Sequence, residues 1–477
     1  MNEILVGREL ESSLLNKYIN SDRSELVAVY GRRRVGKTFF IRQVLKGRAC
    51  FTFSGAENAT IKQQLINFVV EYSVRTGSNT LPANWTEAFV MLRNYLQSSR
   101  LKRKIIFIDE LPWLDGAKSG FLSAFEYFWN TWASARTDIK LIVCGSATSW
   151  MINNLINNHG GLHNRVTHQI YIAPFTLGEA EKYFKTYKFG YRRAEIAECY
   201  MVMGGIPFYY SMMDRELSAA QNIDRLFFGE KAELRYEFDN LYRSLYKRSD
   251  SHIAVVKALS TKRMGLTRKE ILEITKLNNN SKFTEVLDEL EKCGFIRQYQ
   301  PFSEAKRNIM YQIIDHFVLF HFSFLKNLRK PENDFWARTI NTKNYEIWVG
   351  LSFEMLCISH IKAIKQALGI PAVRTRECGF IFKGDDCYSG AQIDLVIDRD
   401  DNTINICEMK YTNSEYPISA KYAKELQNKI DAFIHCTNTS KSIMLTMITS
   451  QGVKKNPYST IVQKALNLDS LFFLGID

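Results

Sequence analysis

No two of the nine cysteines stand in C-x-x-C spacing; they are scattered at 50, 144, 199, 293, 357, 378, 387, 407 and 436. That scatter excludes a small disulfide scaffold and argues against a structural zinc site. It fits thiols packed as small apolar side chains in a reducing compartment. No run of 18 apolar residues occurs, so no transmembrane segment is expected. Residues 1–9 carry Glu3, Arg8 and Glu9 and no long apolar core, so they do not read as a signal peptide, and a cytoplasmic protein is expected. Repeats, low-complexity segments and Pro/Gly/Ser-rich linkers are also lacking. What is present is ordinary globular material: 477 residues, 46% hydrophobic and 24% charged. This composition excludes disorder for most of the chain and suits two to four domains. Lys and Arg outnumber Asp and Glu by 63 to 50, a formal charge of +13. Such a balance permits contact with nucleic acid or an acidic membrane without requiring it.

Residues 1–175 alternate short apolar strands with amphipathic helices, the α/β signature. Strands are expected at 26–30, 50–53, 105–108, 141–144 and 169–172. Residues 176–245 read as helices broken at Gly204-Gly205-Ile206-Pro207, 246–310 as a winged-helix domain, and 311–477 as a second α/β domain.

Gly31-Arg32-Arg33-Arg34-Val35-Gly36-Lys37-Thr38 fits G-x-x-x-x-G-K-[ST], between an apolar strand and an amphipathic helix. That context makes it a phosphate-binding loop. Its glycines let backbone N–H groups turn inward around phosphates, and the helix N-terminus adds its positive end. Lys37 would offset β/γ-phosphate charge and the Thr38 hydroxyl would bind Mg²⁺. About 70 residues on, Lys104-Ile105-Ile106-Phe107-Ile108-Asp109-Glu110 ends a buried strand in two acids. Asp109 would hold Mg²⁺ through water and Glu110 would polarise the attacking water. A third strand ends at Gly145-Ser146-Ala147-Thr148, where a polar side chain can sense the γ-phosphate; Ser146 is the first choice and Thr148 the second. Arg165, in the loop before the last strand, would contact phosphate either in cis or from a neighbouring copy in a homo-oligomer. Arg32, Arg33 and Arg34 cannot all face phosphate, so some are expected to be exposed or to serve partner contacts.

These motifs, with the opening Val6-Gly7-Arg8-Glu9, resemble the prokaryotic archaeal-type ATPase family of the AAA+/STAND group of P-loop NTPases. Ile172-Ala173-Pro174-Phe175 and Gly204-Gly205-Ile206-Pro207 are similar to its later motifs. The resemblance covers about the first 210 residues. It implies ATP as the nucleotide, a helical lid, and Gly7 and Arg8 near the adenine.

From 250 to 300, three helices precede a strand opened by Gly294-Phe295-Ile296, a winged-helix pattern in which Thr267 and Glu270 form a capping box. The third helix carries Glu285, Asp288, Glu289 and Glu291 beside Lys282. That acidity argues against tight insertion into a phosphate-lined groove.

Near the C-terminus, Gln392-Ile393-Asp394-Leu395-Val396-Ile397-Asp398 and Ile404-Asn405-Ile406-Cys407-Glu408-Met409-Lys410 alternate as strands around a turn. Period two puts Glu408 and Lys410 on one face. A hairpin centred on Asp401 places Asp394 directly across from Glu408. Glu354, in the helical row Ile347, Leu351, Glu354, Ile358, Ile361, is expected to face this sheet. Glu354, Asp394 and Glu408 would hold a divalent metal, with Lys410 positioning water for phosphodiester hydrolysis. The D…E-x-K arrangement resembles the PD-(D/E)xK nuclease superfamily. With Tyr311-Gln312-Ile313-Ile314-Asp315 upstream, the segment looks like the uncharacterised domain that often follows this ATPase type.

The reading is an ATP-hydrolysing, Mg²⁺-dependent P-loop ATPase coupled to a nuclease-like or nucleic-acid-binding module, with DNA favoured over RNA. The alternative is a STAND-type regulatory switch whose C-terminal domain binds without cleaving.

Overall fold

The computed structural model describes residues 4–473 apart from 158–159, 163, 247, 303–308 and 341, so His163 of the loop before Arg165 lies outside the described residues. The chain forms two compact units, Met1–Pro174 and Phe175–Asp477.

In the first unit, β1 (Glu25–Tyr30), β2 (Ala49–Ser54), β3 (Lys104–Asp109), β4 (Ile139–Gly145) and β5 (His168–Tyr171) form one sheet in the order β2-β3-β4-β1-β5. Every pairing is parallel. All positions of β3 and β4 are buried, as a parallel sheet covered on both faces requires. An aromatic core that includes Phe51, Phe53, Phe68, Trp85, Phe89 and Phe121 fills one side. Because β3, β4 and β1 are neighbours, the loops at their carboxyl ends converge, and ligands bind such sheets there.

The second unit opens with short helices between Leu177 and Leu245. Helices Asp250–Leu259, Arg268–Thr275 and Ser281–Lys292 follow, with β6 (Leu266–Thr267), β7 (Ile296–Tyr299) and β8 (Met310–Ile313). Thr267 accepts from the Glu270 N–H and Glu270 reaches back, closing the capping box. The small sheet is antiparallel in the order β6-β8-β7. A domain boundary at 310/311 therefore cuts through a strand: β8 supplies the hydrogen-bond partners of both β6 and β7 and goes with the three helices.

Helix Lys343–Ser359 leads into β9 (Thr375–Gly384), β10 (Ser389–Arg399) and β11 (Thr403–Lys410), an antiparallel meander. After β12 (Tyr416–Pro417), helix Ala420–Thr437 crosses to β13 (Ser442–Thr449), parallel to β11. β12 pairs with β14 (Val453–Lys454), and β15 (Lys464–Leu466) completes a sheet ordered β15-β13-β11-β10-β9. The extra C-terminal domain is thus built on a second five-stranded sheet. Seven of the nine cysteines are buried free thiols, and Cys387 and Cys436 are exposed. Among the described residues no single helix is long and apolar enough to cross a membrane.

Candidate functional site

The turn after β1 puts three residues at positive φ: Gly31 at 147°, Arg34 at 72° and Gly36 at 88°. Gly31 is also a close approach, since a Cβ built there would lie 2.2 Å from the Ile172 carbonyl oxygen. Helix Lys37–Leu45 starts at Gly36, and its first residue folds back: Lys37 Nζ donates to the carbonyls of Gly31 and Arg32 at 2.9 Å each. Lys37 is buried, and that burial pulls its pKa below the usual lysine value despite the nearby Glu110 and Asp109. An ammonium held so is poised for an anion. Arg32 is buried and Arg33 and Arg34 are half-buried, so none of the three is an exposed arginine. Arg33 turns towards Glu57, 3.9 Å away, and lies over the Trp113 ring. The loop's tight backbone leaves these side chains to pack on neighbouring segments.

Asp109 Oδ1 accepts from three donors: Thr38 Oγ1 at 3.1 Å, the Glu110 N–H at 3.0 Å and the Cys144 thiol at 2.6 Å. Burial, and the Asp109 charge after it, push the Cys144 thiol well above its ordinary pKa, so it stays protonated and donates. Glu110 takes a left-handed backbone, φ 46°, which swings its side chain towards β4. There its Oε2 accepts from the Ser146 N–H at 3.0 Å and the Ser146 hydroxyl at 2.9 Å. Lys37, Thr38, Asp109, Glu110 and Ser146 are thus one cluster. Thr148 is buried, and its hydroxyl makes no hydrogen bond among the described residues. Arg165 is exposed, and no hydrogen bond among the described residues joins its side chain to that cluster. Gly7 and Arg8 take consecutive left-handed conformations, φ 68° and 64°. This buries Arg8 and lets its guanidinium donate to the Ala173 carbonyl just past β5.

In the second unit the carboxylates fall into two groups. The β10–β11 register pairs Leu395 with Cys407 and ends there, one pair short of Asp394 and Glu408. The β9–β10 ladder is irregular between Ile393 and Val396, so Asp394 sits on a bulge, a device that re-aims a side chain. Asp394 is therefore not cross-strand paired with Glu408. It accepts instead from Gln392 Nε2 at 2.9 Å and from Arg263. The same Arg263 nitrogen also donates to Glu354. Glu354 is buried while Ile347 of its expected row is 57% exposed. Helix Lys343–Ser359 buries Trp348, Val349, Phe353 and Leu356 instead, a wider face than that row. Burial first, then the neighbouring Asp394, push the Glu354 pKa up to about 8 despite Arg263. Glu408 is held by Lys410 at 3.0 Å, Lys429 at 2.7 Å and the Tyr422 hydroxyl at 2.8 Å. Burial would raise its pKa, but the two lysines outweigh that and keep it below the usual range.

Residues 5–213 match the family model described as an ATPase domain predominantly from Archaea. This part of the chain has the parallel-sheet fold of a P-loop ATPase. An uncharacterised protein of Methanocaldococcus jannaschii is 24% identical over 444 residues, 89% of this chain and 92% of that one. The Walker-type ATPase of Pyrococcus abyssi shares the fold with a TM-score of 0.50 at 18% identity, over 67% of this chain and 96% of that one. The ORC2 protein of Aeropyrum pernix, in its ADPNP–ADP complexes, gives a TM-score of 0.40 at 12% identity, over 69% of this chain and 96% of that one.

In the ATPase domain, the Thr38 hydroxyl and the Asp109 carboxylate are a hard-oxygen pair suited to Mg²⁺. In the second unit one guanidinium nitrogen reaches both Glu354 and Asp394, so one cation serves both carboxylates. Glu408 is not at that point, and among the described residues no group of three or more His, Cys, Asp or Glu is placed to hold a metal. Sequence reasoning missed Cys144, Arg263, Gln392, Tyr422 and Lys429. Tyr422 and Lys429 had a signal, a seven-residue spacing that aligns both on one helix face. Arg263 had none, lying 131 residues from Asp394.

Proposed function

We propose that the chain binds and hydrolyses Mg²⁺-ATP at the P-loop, and that its C-terminal domain is a nuclease-like module acting on nucleic acid, DNA before RNA. The observation that carries the ATPase reading is the fixed Glu110 carboxylate beside Lys37 and Asp109. When bound, Mg²⁺ supplies charge neutralisation on the β- and γ-phosphates, and Thr38 and Asp109 would hold it. Lys37 exchanges two carbonyl acceptors for phosphate oxygens. The N–H groups of residues 32–38 line the loop for the remaining oxygens. Glu110 accepts the proton of the attacking water, and Ser146 sets that carboxylate's direction. Gly7 and Arg8 serve the base, and Arg165 reaches phosphate in cis or from a second copy.

The three helices and β6-β8-β7 sheet support a winged-helix module. The acidic face of helix Ser281–Lys292 suits protein contact better than a DNA groove. For the C-terminal domain, support comes from Glu354 on a helix, Asp394 on β10 and Glu408 with Lys410 on β11. Its second reading, a regulatory switch that binds without cleaving, is favoured by one observation: Arg263 already neutralises Glu354 and Asp394. The test is cleavage of single- and double-stranded DNA and RNA with Mg²⁺ or Mn²⁺, with and without ATP. Asp394→Ala should abolish metal-dependent cleavage and leave ATP turnover intact. Absence of cleavage on every substrate by both the wild-type protein and Arg263→Ala selects the switch.

A further inference from the structure

Arg263 is delivered to the two carboxylates by a built turn. The chain reverses at 260–265 between helix Asp250–Leu259 and β6. Gly265, at φ 79°, lies so close to β8 that a Cβ would meet the Tyr311 carbonyl oxygen at 2.0 Å. The Tyr299 hydroxyl donates to the Met264 carbonyl at 2.6 Å, and the Gln312 side chain donates to the Arg263 carbonyl at 2.9 Å. Met264 is buried with Tyr299 and Met310. Its methyl carbon fills the space a Cβ on Gly379 would take, 2.6 Å away, on the strand facing the bulge that carries Asp394. The Phe302 N–H donates to the Gly379 carbonyl at 2.7 Å, fastening the chain beyond β7 to the same point of β9.

The result is one guanidinium nitrogen shared by Glu354 and Asp394. A guanidinium and a divalent cation at that position would repel one another. The Arg263 side chain is 37% exposed, against 10% for each carboxylate, so the arginine is the member that solvent reaches. A cavity of about 50 Å³ lined by Leu259, Arg263, Gln312, Leu351, Glu354 and Asp394 adjoins it.

We propose that Arg263 is an autoinhibitory latch: it stands in for the divalent cation at Glu354 and Asp394, and metal loading requires the 260–265 turn or its side chain to withdraw. The inference rests on the reading of those carboxylates as metal-binding. Whatever moves the three-helix module relative to β9 and β10 then sets metal affinity, since the two equilibria are linked.

The test is calorimetric titration of Mn²⁺ into the full-length, nucleotide-free protein. Wild type, Arg263→Ala and Arg263→Gln are compared, each with and without Asp394→Ala. Removing the competing charge should tighten Mn²⁺ binding at least tenfold in both Arg263 variants, and Asp394→Ala should erase the gain. Arg263→Gln keeps a donor for one carboxylate and serves if the alanine variant fails to fold, as judged by circular dichroism. Equal Mn²⁺ affinity in wild type and Arg263 variants, with binding still dependent on Asp394, overturns the latch and leaves the metal site standing. No Asp394-dependent binding in any variant overturns both.

Discussion

Glu110→Gln isolates one chemical role with little structural disturbance. Glu110 uses a single oxygen, Oε2, to accept both the Ser146 N–H and the Ser146 hydroxyl, at 3.0 and 2.9 Å. A glutamine has one carbonyl oxygen, which can keep both bonds. Its amide nitrogen then takes the place of Oε1, and what disappears is the basic carboxylate. Loss of a general base costs about 10²–10⁴-fold in rate, or roughly 3–5 kcal/mol of barrier. ATP affinity should stay within about threefold, because Lys37 and the loop N–H groups, not Glu110, would bind the phosphates. Steady-state phosphate release gives kcat, calorimetric titration with Mg²⁺-ATP gives Kd, and a thermal melt checks the fold. A variant that folds, binds ATP and still turns over within tenfold of wild type would refute the assignment of Glu110 as base. A variant that loses ATP binding would instead show that the carboxylate builds the loop.

Lys37→Ala should weaken ATP binding by well over tenfold in the same titration; unchanged affinity would sink the phosphate-loop assignment. Gly31→Ala places a Cβ 2.2 Å from the Ile172 carbonyl oxygen at a φ of 147°, a strain of about 1–3 kcal/mol, so ATP binding should fall at least tenfold and the melting point should drop. His321, stacked on Phe238 at 4.0 Å, has its pKa pushed down to about 4, by burial first and then by Lys326. A depressed histidine pKa contributes stability that is present above pH ~6.5 and lost as the pH falls towards 4, about 3 kcal/mol in all. Denaturant titrations at pH 7 and pH 4 should show that loss in wild type and a clearly smaller one in His321→Phe; equal losses would remove His321 as its source.

The nucleotide site was legible because its parts are local. A strand, a glycine-bounded turn and a helix N-terminus occupy Glu25–Leu45, and each buried strand announces itself as a short apolar run. The Asp109–Glu110 pair needed only the rule that strand ends gather at one edge of a parallel sheet. Two details escaped. The left-handed Glu110 backbone, which aims the carboxylate at Ser146, has no composition signal. The Cys144 thiol reads as one more apolar residue of β4, although its proton goes to Asp109.

The C-terminal site was half legible, and the missing half is its most consequential. Alternation correctly indicates a hairpin, and its centre of symmetry puts Asp394 opposite Glu408 if the ladder runs on. The ladder stops at Leu395 and Cys407 because β10 bulges against β9, and a bulge is set by the neighbouring strand, which local alternation does not encode. Each carboxylate then satisfies itself separately: Glu408 with two lysines and a tyrosine, Asp394 with Gln392 and an arginine from another module. That last partner matters most for function. Two buried carboxylates left side by side would repel or take up a proton, and a cation between them relieves that repulsion. The fold supplies a protein cation, Arg263, to both. On the proposed latch, metal loading turns on Arg263 and the turn that carries it, a residue that no D…E-x-K pattern contains.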